Sequence, residues 1–118
     1  MLLVVIESPL GAHTRAGILK NKEYAKRAML DSLSRGEAPY ASHLLFDQEG
    51  LLDDTNPTER QIGILAGFAW GAKADLIAVY SDLGISLGMR LAIERATKAG
   101  QSIEYRYLNK DNESHASR

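Results

Sequence analysis

Residues 2–6, Leu-Leu-Val-Val-Ile, form an unbroken aliphatic run that stops at Glu7-Ser8-Pro9. Such a run is the pattern of a strand buried on both faces of a parallel sheet. Residues 9–17 carry Gly11, His13, Thr14 and Arg15 without periodicity and predict a loop over the sheet's carboxyl edge. From about Leu19 the period becomes helical. Tyr24, Ala25, Ala28, Met29, Ser32 and Leu33 fall on one side, Lys20, Lys22, Lys26, Arg27 and Asp31 on the other, and Gly36 supplies the stop. Residues 39–43, Pro-Tyr-Ala-Ser-His, read as a short second strand. In a βαβ unit its end lies beside the end of the first strand, so Ser42 and His43 are expected next to Ser8 and Pro9.

Residues 44–56 hold apolar positions with no usable period and suit a flap or a partner contact. Asp53 and Asp54 within them fit a solvated turn or a grip on ribose hydroxyls. Asn56-Pro57-Thr58-Glu59 is a helix start: an N-cap side chain, proline at the first helical position and a carboxylate three residues after the cap. The helix is expected to reach about Ala72, with Gly63, Gly67 and Gly71 at intervals of four. Aligned glycines imply close approach of another backbone, either the sheet or a second subunit. With Phe68 and Trp70 on the same helix, a homo-oligomer through this element is expected.

Residues 74–80 are again strand-like. The chain then turns through Ser81-Asp82-Leu83-Gly84-Ile85-Ser86-Leu87-Gly88 into a helical pattern from Met89 to Ala99, with Leu87, Met89, Leu91, Ile93 and Ala96 toward the sheet and Gly100 as its end. Residues 102–108 set Ile103, Tyr105 and Tyr107 against Glu104 and Arg106, the alternation of an edge strand with one face exposed. Residues 109–118 are polar and are expected to fray. The order predicts one α/β domain over residues 1–108, a small doubly wound, mainly parallel sheet of four to five strands with helices on both faces, Rossmann-like or flavodoxin-like.

Composition narrows the chemistry. The chain has 118 residues, 45% hydrophobic and 25% charged, enough for a single core. A net charge of −1 with the two signs interspersed gives no field for duplex nucleic acid. Cysteine is absent and His13, His43 and His115 lie far apart, so neither a disulfide framework nor a metal or other cofactor is expected. The apolar start lacks a basic flank and ends at Glu7, reading as a strand rather than a leader or a membrane span; a cytoplasmic protein follows.

The turn before the last helix concentrates the candidate chemistry. Gly84-Ile85-Ser86-Leu87-Gly88 matches the G-x-S-x-G nucleophile elbow. An elbow serine needs a histidine after it, and here only His115 in the polar tail follows, in a chain too short for that fold. Ser86 therefore reads as an N-cap, with the glycines letting the backbone approach a ligand. The predicted crevice gathers Ser8, Pro9, Ser42, His43, Asp82, Gly84, Ser86 and Gly88 around a helix N-terminus, a set suited to a small polar ligand with an anionic group, such as a nucleotide or sugar phosphate.

Glu7-Ser8-Pro9, Ala41-Ser42-His43, the segment 57–70, Ala74-Asp75 and the stretch from Asp82 to Met89 together resemble the nucleoside 2-deoxyribosyltransferase-like superfamily, which includes nucleoside 5′-monophosphate N-glycosidases. More nearly they resemble an uncharacterised group of short bacterial and phage proteins, which would place a phage-encoded chain in the cytoplasm of its host. In the enzymes this resemblance implies, a glycine, one residue and a glutamate open the last helix, and that carboxylate attacks the sugar's anomeric carbon. Here the matching position after Gly88-Met89 is Arg90, whose guanidinium stays protonated. Glu94 lies one turn, about 5.4 Å, further along. Arginine at a helix start clamps phosphate and favours an anionic nucleotide. Three readings stay open. An N-glycosidase or transferase would use Asp82 or Glu94 as nucleophile or base and His43 as acid. A nucleotide-sequestering or sensing module in phage–host conflict would hold phosphate with Ser8, Pro9, Ser42, Gly84, Ser86, Gly88 and Arg90. An oligomeric interaction protein would have no ligand at all.

Overall fold

The computed structural model describes residues 1–109, which form four strands and four helices. In chain order these are β1 (Leu3–Glu7), α1 (Arg15–Ser34), β2 (Ala38–Tyr40), α2 (Ser42–Phe46), α3 (Pro57–Gly71), β3 (Leu76–Tyr80), α4 (Leu87–Lys98) and β4 (Ile103–Arg106). The sheet order is β2-β1-β3-β4 and every pair is parallel, with Val5 opposite Tyr40 and Ile77, and Val79 opposite Tyr105. The expected parallel α/β fold is therefore present, with four strands.

Strand alternation splits the core in two. Val4, Ile6, Leu76, Ala78 and Tyr80 pack with Tyr24 and Ala28 of α1 on one face; Val5, Ile77 and Val79 pack with Met89 and Ala96 of α4 on the other. β3 is buried along its whole length because it lies between two strands and under helices on both sides. The chain leaves β1 toward β2 on one side and returns to β3 on the other. The carboxyl ends of β1 and β3 thus flank the switch point, where an open α/β sheet leaves a crevice.

Several local expectations are corrected. α1 starts at Arg15, earlier than Leu19, because Thr14 caps it by accepting the Gly17 N–H at 3.0 Å. β2 stops at Tyr40, and Ser42 and His43 stand on the short helix α2, where the Leu44 and Leu45 N–H groups bond to the Ala41 carbonyl. Along α4, Met89, Ala92 and Ala96 are buried while Leu87 and Leu91 are exposed, so the helix is rolled away from the face its leucines marked.

In β4 Ile103 packs on the core and Glu104 is exposed as expected, but the next two positions are reversed: Arg106 is 4% exposed and Tyr105 54%. Arg106 reaches Glu37 through a bidentate pair, Nη1 to Oε1 at 2.8 Å and Nη2 to Oε2 at 2.7 Å, and Nη1 also donates to the Tyr80 hydroxyl. A carboxylate partner inside the protein is what lets the guanidinium be buried there. Residues 110–118, most of the tail expected to fray, lie outside the described residues.

Candidate functional site

A cleft of about 640 Å³ opens at the carboxyl edge of the sheet, within the size range of small-molecule sites. Its wall is built from the end of β1 (Glu7, Ser8), the following loop (Gly11, Ala12, His13), α2 (Ser42, His43), the linker (Asp47, Asp54), α3 (Arg60, Phe68) and the start of α4 (Ser86, Gly88). Gly67 and Gly71 of the α3 stripe bring that helix close to its neighbours. Gly67 sits 3.4 Å, by the position of an added Cβ, from Ser42 of α2, and Gly71 sits 3.0 Å from the Arg95 guanidinium of α4. A methyl at Gly67 would make a tight contact with Ser42, and one at Gly71 would press on the end of the Arg95 side chain. The stripe was expected to meet another backbone; within the chain its glycines instead meet the side chains of Leu52, Ser42 and Arg95.

His43 couples α2 to β1. Its Nε2 lies 2.5 Å from the Ser8 carbonyl, and because a carbonyl only accepts, Nε2 carries the proton and Nδ1 is left as an acceptor. Burial holds the imidazole below its ordinary pKa, so it is neutral at pH 7. Ser8 is 1% exposed and its Oγ has no hydrogen-bond partner among the described residues. A buried hydroxyl at the wall of a cleft with no partner is a group waiting for a ligand or water.

Three of the four carboxylates on the wall are engaged. Asp47 pairs with Lys22 at 2.9 Å, Asp54 stands 3.6 Å from Arg60, and Glu59 accepts the Asp53 N–H at 3.2 Å, not the amide of its own N-cap as its capping position predicted. The Glu7 carboxyl makes no hydrogen bond or ion pair with any described residue. Burial pushes its carboxyl up to about 8, outweighing the attraction of Arg95. At the other end, Ser86 caps α4 by accepting the Met89 N–H at 3.3 Å. The Arg60 guanidinium lies between two glycines there: a Cβ on Gly11 would be 3.5 Å from Nη1 and one on Gly88 3.9 Å from Nη2.

Of the residues singled out in the sequence, Ser8, Ser42, His43, Ser86 and Gly88 line this cleft. Pro9 is buried beside it and is not on its wall. Asp82, Gly84, Arg90 and Glu94 are elsewhere. Asp82 accepts from the Tyr24 hydroxyl at 2.5 Å and from the N–H groups of Leu108 and Asn109, fastening the chain after β4. Gly84, at φ +90°, closes a turn by donating its N–H to the Ser81 carbonyl. Arg90 and Glu94, four residues apart on α4, are both exposed, and Glu94 pairs with Lys98 at 3.2 Å. Glu7, Arg60 and Phe68 were not anticipated. Glu7 was legible in principle: a charged residue closing an apolar parallel strand stands at the edge where ligands bind. Arg60 carried no signal beyond lying one turn into a well-capped helix.

An all-parallel α/β sheet with a cleft at its switch point defines a Rossmann-like domain. Within that class the chain belongs to the family described as "Domain of unknown function (DUF7768)", whose model matches residues 2–106, all four strands and every wall residue of the cleft included. No curated protein gives a significant match to the chain. Among the described residues no three His, Asp or Glu side chains gather as a metal site, and no helix is long and apolar enough to cross a membrane.

Proposed function

We propose that the cleft binds a nucleotide or nucleotide-derived metabolite. Its phosphate meets the amide-bearing start of α4 beside Arg60, its sugar lies against Ser8, His43 and Glu7, and its base packs on the apolar wall of Phe68, Ile64 and Met89. The observation that carries this reading is polarity at both ends of one cleft. Arg60 and a helix N-terminus converge at one end, and unengaged hydrogen-bonding groups, the buried Ser8 Oγ foremost, stand at the other. Helix N-termini favour anions, and arginine adds planar donors that match phosphate oxygens. Arg60 takes the part expected of Arg90, its Nη1 standing 3.6 Å from the Asp54 carboxylate. The resemblance to the nucleoside 2-deoxyribosyltransferase-like superfamily supports the same ligand class and adds N-glycosidic cleavage or transfer as the reaction; without turnover the same site sequesters or senses its ligand.

A thermal-shift screen over nucleosides and their mono-, di- and triphosphates tests the reading. A ligand at about 100 times its Kd stabilises by about 2.7 kcal/mol, a readily measured rise in Tm. Nucleotides should give it and neutral nucleosides much less. Arg60→Ala should weaken the nucleotides about tenfold, the loss of one charge-assisted contact of about 1.5 kcal/mol, with Arg60→Lys in between. Absence of a shift with every nucleotide at millimolar concentration refutes the proposal.

We also infer self-association through α3. With its glycines turned inward, the helix presents Ile62, Leu65 and Trp70 outward, Leu65 56% and Trp70 60% exposed. Light scattering should show an oligomer that Leu65→Glu converts to monomer; a wild-type monomer at tens of micromolar refutes it.

A further inference from the structure

We propose that Glu7 is the catalytic acid of this cleft, handing its proton to the departing ring nitrogen of the nucleotide's base as the N-glycosidic bond breaks. The proposal rests on the nucleotide reading above and names the group that would turn binding into chemistry. Glu7 closes β1, on the same side of the strand as Val5 and hence toward α3 and α4, and it lines the cleft with Ser8, His43 and Phe68. Every other carboxylate on the wall is held by a cation or a backbone amide. On α4, Glu94 is bound to Lys98 in solvent, so that helix supplies no acid to the cleft.

The surroundings keep Glu7 able to give up a proton. Arg95 packs on the Phe68 ring, 5.7 Å from its centre, and does not come within 4.0 Å of the Glu7 carboxyl. A direct ion pair would hold the carboxyl as an anion; at this remove the guanidinium only moderates the effect of burial. Tyr40, on the same face of the sheet, has a buried hydroxyl with no partner among the described residues, and burial first, then the nearby Glu7 carboxyl, raises its pKa. The remaining titratable or charged groups on the wall are His13 and His43 and the paired Asp47, Asp54, Glu59 and Arg60. With its carboxyl pushed up to about 8, Glu7 carries its proton at pH 7.

A base leaves a sugar poorly as an anion. Protonation of its ring nitrogen while the C1′–N bond breaks lets it leave neutral, the electron pair of that bond going to the nitrogen and positive charge developing on C1′ and the ring oxygen. One water then adds to C1′ and gives its proton to the Glu7 carboxylate, which restores the acid. The products are free base and sugar phosphate, and one water is consumed.

The test incubates the full chain with ribo- and deoxyribonucleoside 5′-monophosphates between pH 6 and 9.5 and measures free base by chromatography and mass spectrometry. The wild type should release base at a rate that falls about tenfold per pH unit above roughly pH 8, as an acid of that pKa is lost. Glu7→Gln should lower release about 100-fold or more while keeping the nucleotide-induced rise in Tm, which also reports that it folds. On 7-methylguanosine 5′-monophosphate, whose base is already cationic and leaves neutral unaided, Glu7→Gln should match the wild type within a few fold. Glu7→Asp, which keeps a carboxyl on a shorter arm, should retain part of the activity and the alkaline fall. Full activity of Glu7→Gln on unmodified nucleotides overturns the assignment. A wild type that is stabilised by nucleotides and releases no base overturns it and leaves the binding reading standing, whereas no stabilisation by any nucleotide removes both.

Discussion

Replacing Arg106 with methionine should unfold the protein far more readily than loss of a surface cation would. The guanidinium side chain is 2% exposed and holds Glu37 through two bonds of 2.7 and 2.8 Å; without it the carboxylate, its residue 8% exposed, keeps only the Ser32 hydroxyl. Breaking a buried pair from one side costs about 3 to 5 kcal/mol, and at about 4 °C per kcal/mol for a domain of this size Tm should fall by roughly 12 to 20 °C. The penalty must also depend on pH. Arg106 first, then the Ser32 hydrogen bond, holds the Glu37 carboxyl below its ordinary value of 4.5 against the opposing effect of burial. The pair's stabilisation is therefore fully present above that value and is lost as pH falls through the lower folded one. In Arg106→Met only the Ser32 hydrogen bond and the charge of Arg35 still oppose burial, so the carboxyl rises and sheds its charge at a pH where the wild type still keeps the pair. The difference between the two proteins should be largest near pH 7 and shrink toward pH 4. Urea unfolding followed by far-ultraviolet circular dichroism at both pH values measures it. A loss below about 1 kcal/mol at pH 7, or one that does not change between pH 7 and 4, would refute the reasoning, while a Glu37→Met, Arg106→Met double variant should recover much of the loss because no stranded charge remains.

Asp82→Ala should lower stability by about 2 to 3 kcal/mol, since two backbone amides and the Tyr24 hydroxyl lose their acceptor, and hydrogen exchange at Leu108 and Asn109 should rise while exchange at β3 does not. Gly17→Ala should destabilise by about 1 to 3 kcal/mol in thermal unfolding, because its Cβ would fall 2.7 Å from that of Ala12, and it should also weaken nucleotide binding by displacing a loop on the cleft wall. Gly63→Ala, whose Cβ would make only an ordinary 3.5 Å contact with Leu52, should instead stabilise by about 0.5 to 1 kcal/mol through the restricted unfolded chain; a marked loss of Tm would show that the linker cannot accommodate even that contact.

The architecture was legible because the strands buried on both faces leave no ambiguity of period: residues 2–6 and 74–80 read as parallel strands and became β1 and β3. Gly36 and Gly100, at φ +79° and +71°, follow the ends of α1 and α4 where the sequence placed them, and Asn56 and Ser86 cap α3 and α4 as expected. Rotation and long-range pairing were not legible. Nothing near Arg106 in the sequence announces Glu37, and nothing near Asp82 announces Tyr24, so a buried arginine was read as a surface one, and Asp82, expected in the crevice, lies off the cleft against Tyr24. The site divides along the same line. Ser8, His43 and Ser86 were expected at the carboxyl edge and line the cleft because strand ends and helix starts are fixed by topology, whereas Arg60 depends on how α3 leans across the edge.

The roll of α4 also bears on where an acid for this cleft can stand. Arg90 and Glu94, one turn apart, share the solvent face, while Met89, Ala92 and Ala96 hold the sheet-facing side at 1%, 3% and 0% exposure. A carboxylate reaching inward from α4 would have to replace one of these core positions, and deleting Met89 alone would open a cavity costing about 2 to 5 kcal/mol. At the end of β1 no such conflict exists, because the residue after Ile6 points past the core toward the cleft. Glu7 there removes no packing, gains the desolvation that keeps its proton in place, and leaves Arg95 close enough to limit the energetic cost of its burial. A chain whose last helix is committed to covering the sheet can thus place its proton donor on the first strand, where the cost of burying it falls on the acid's pKa and not on the core.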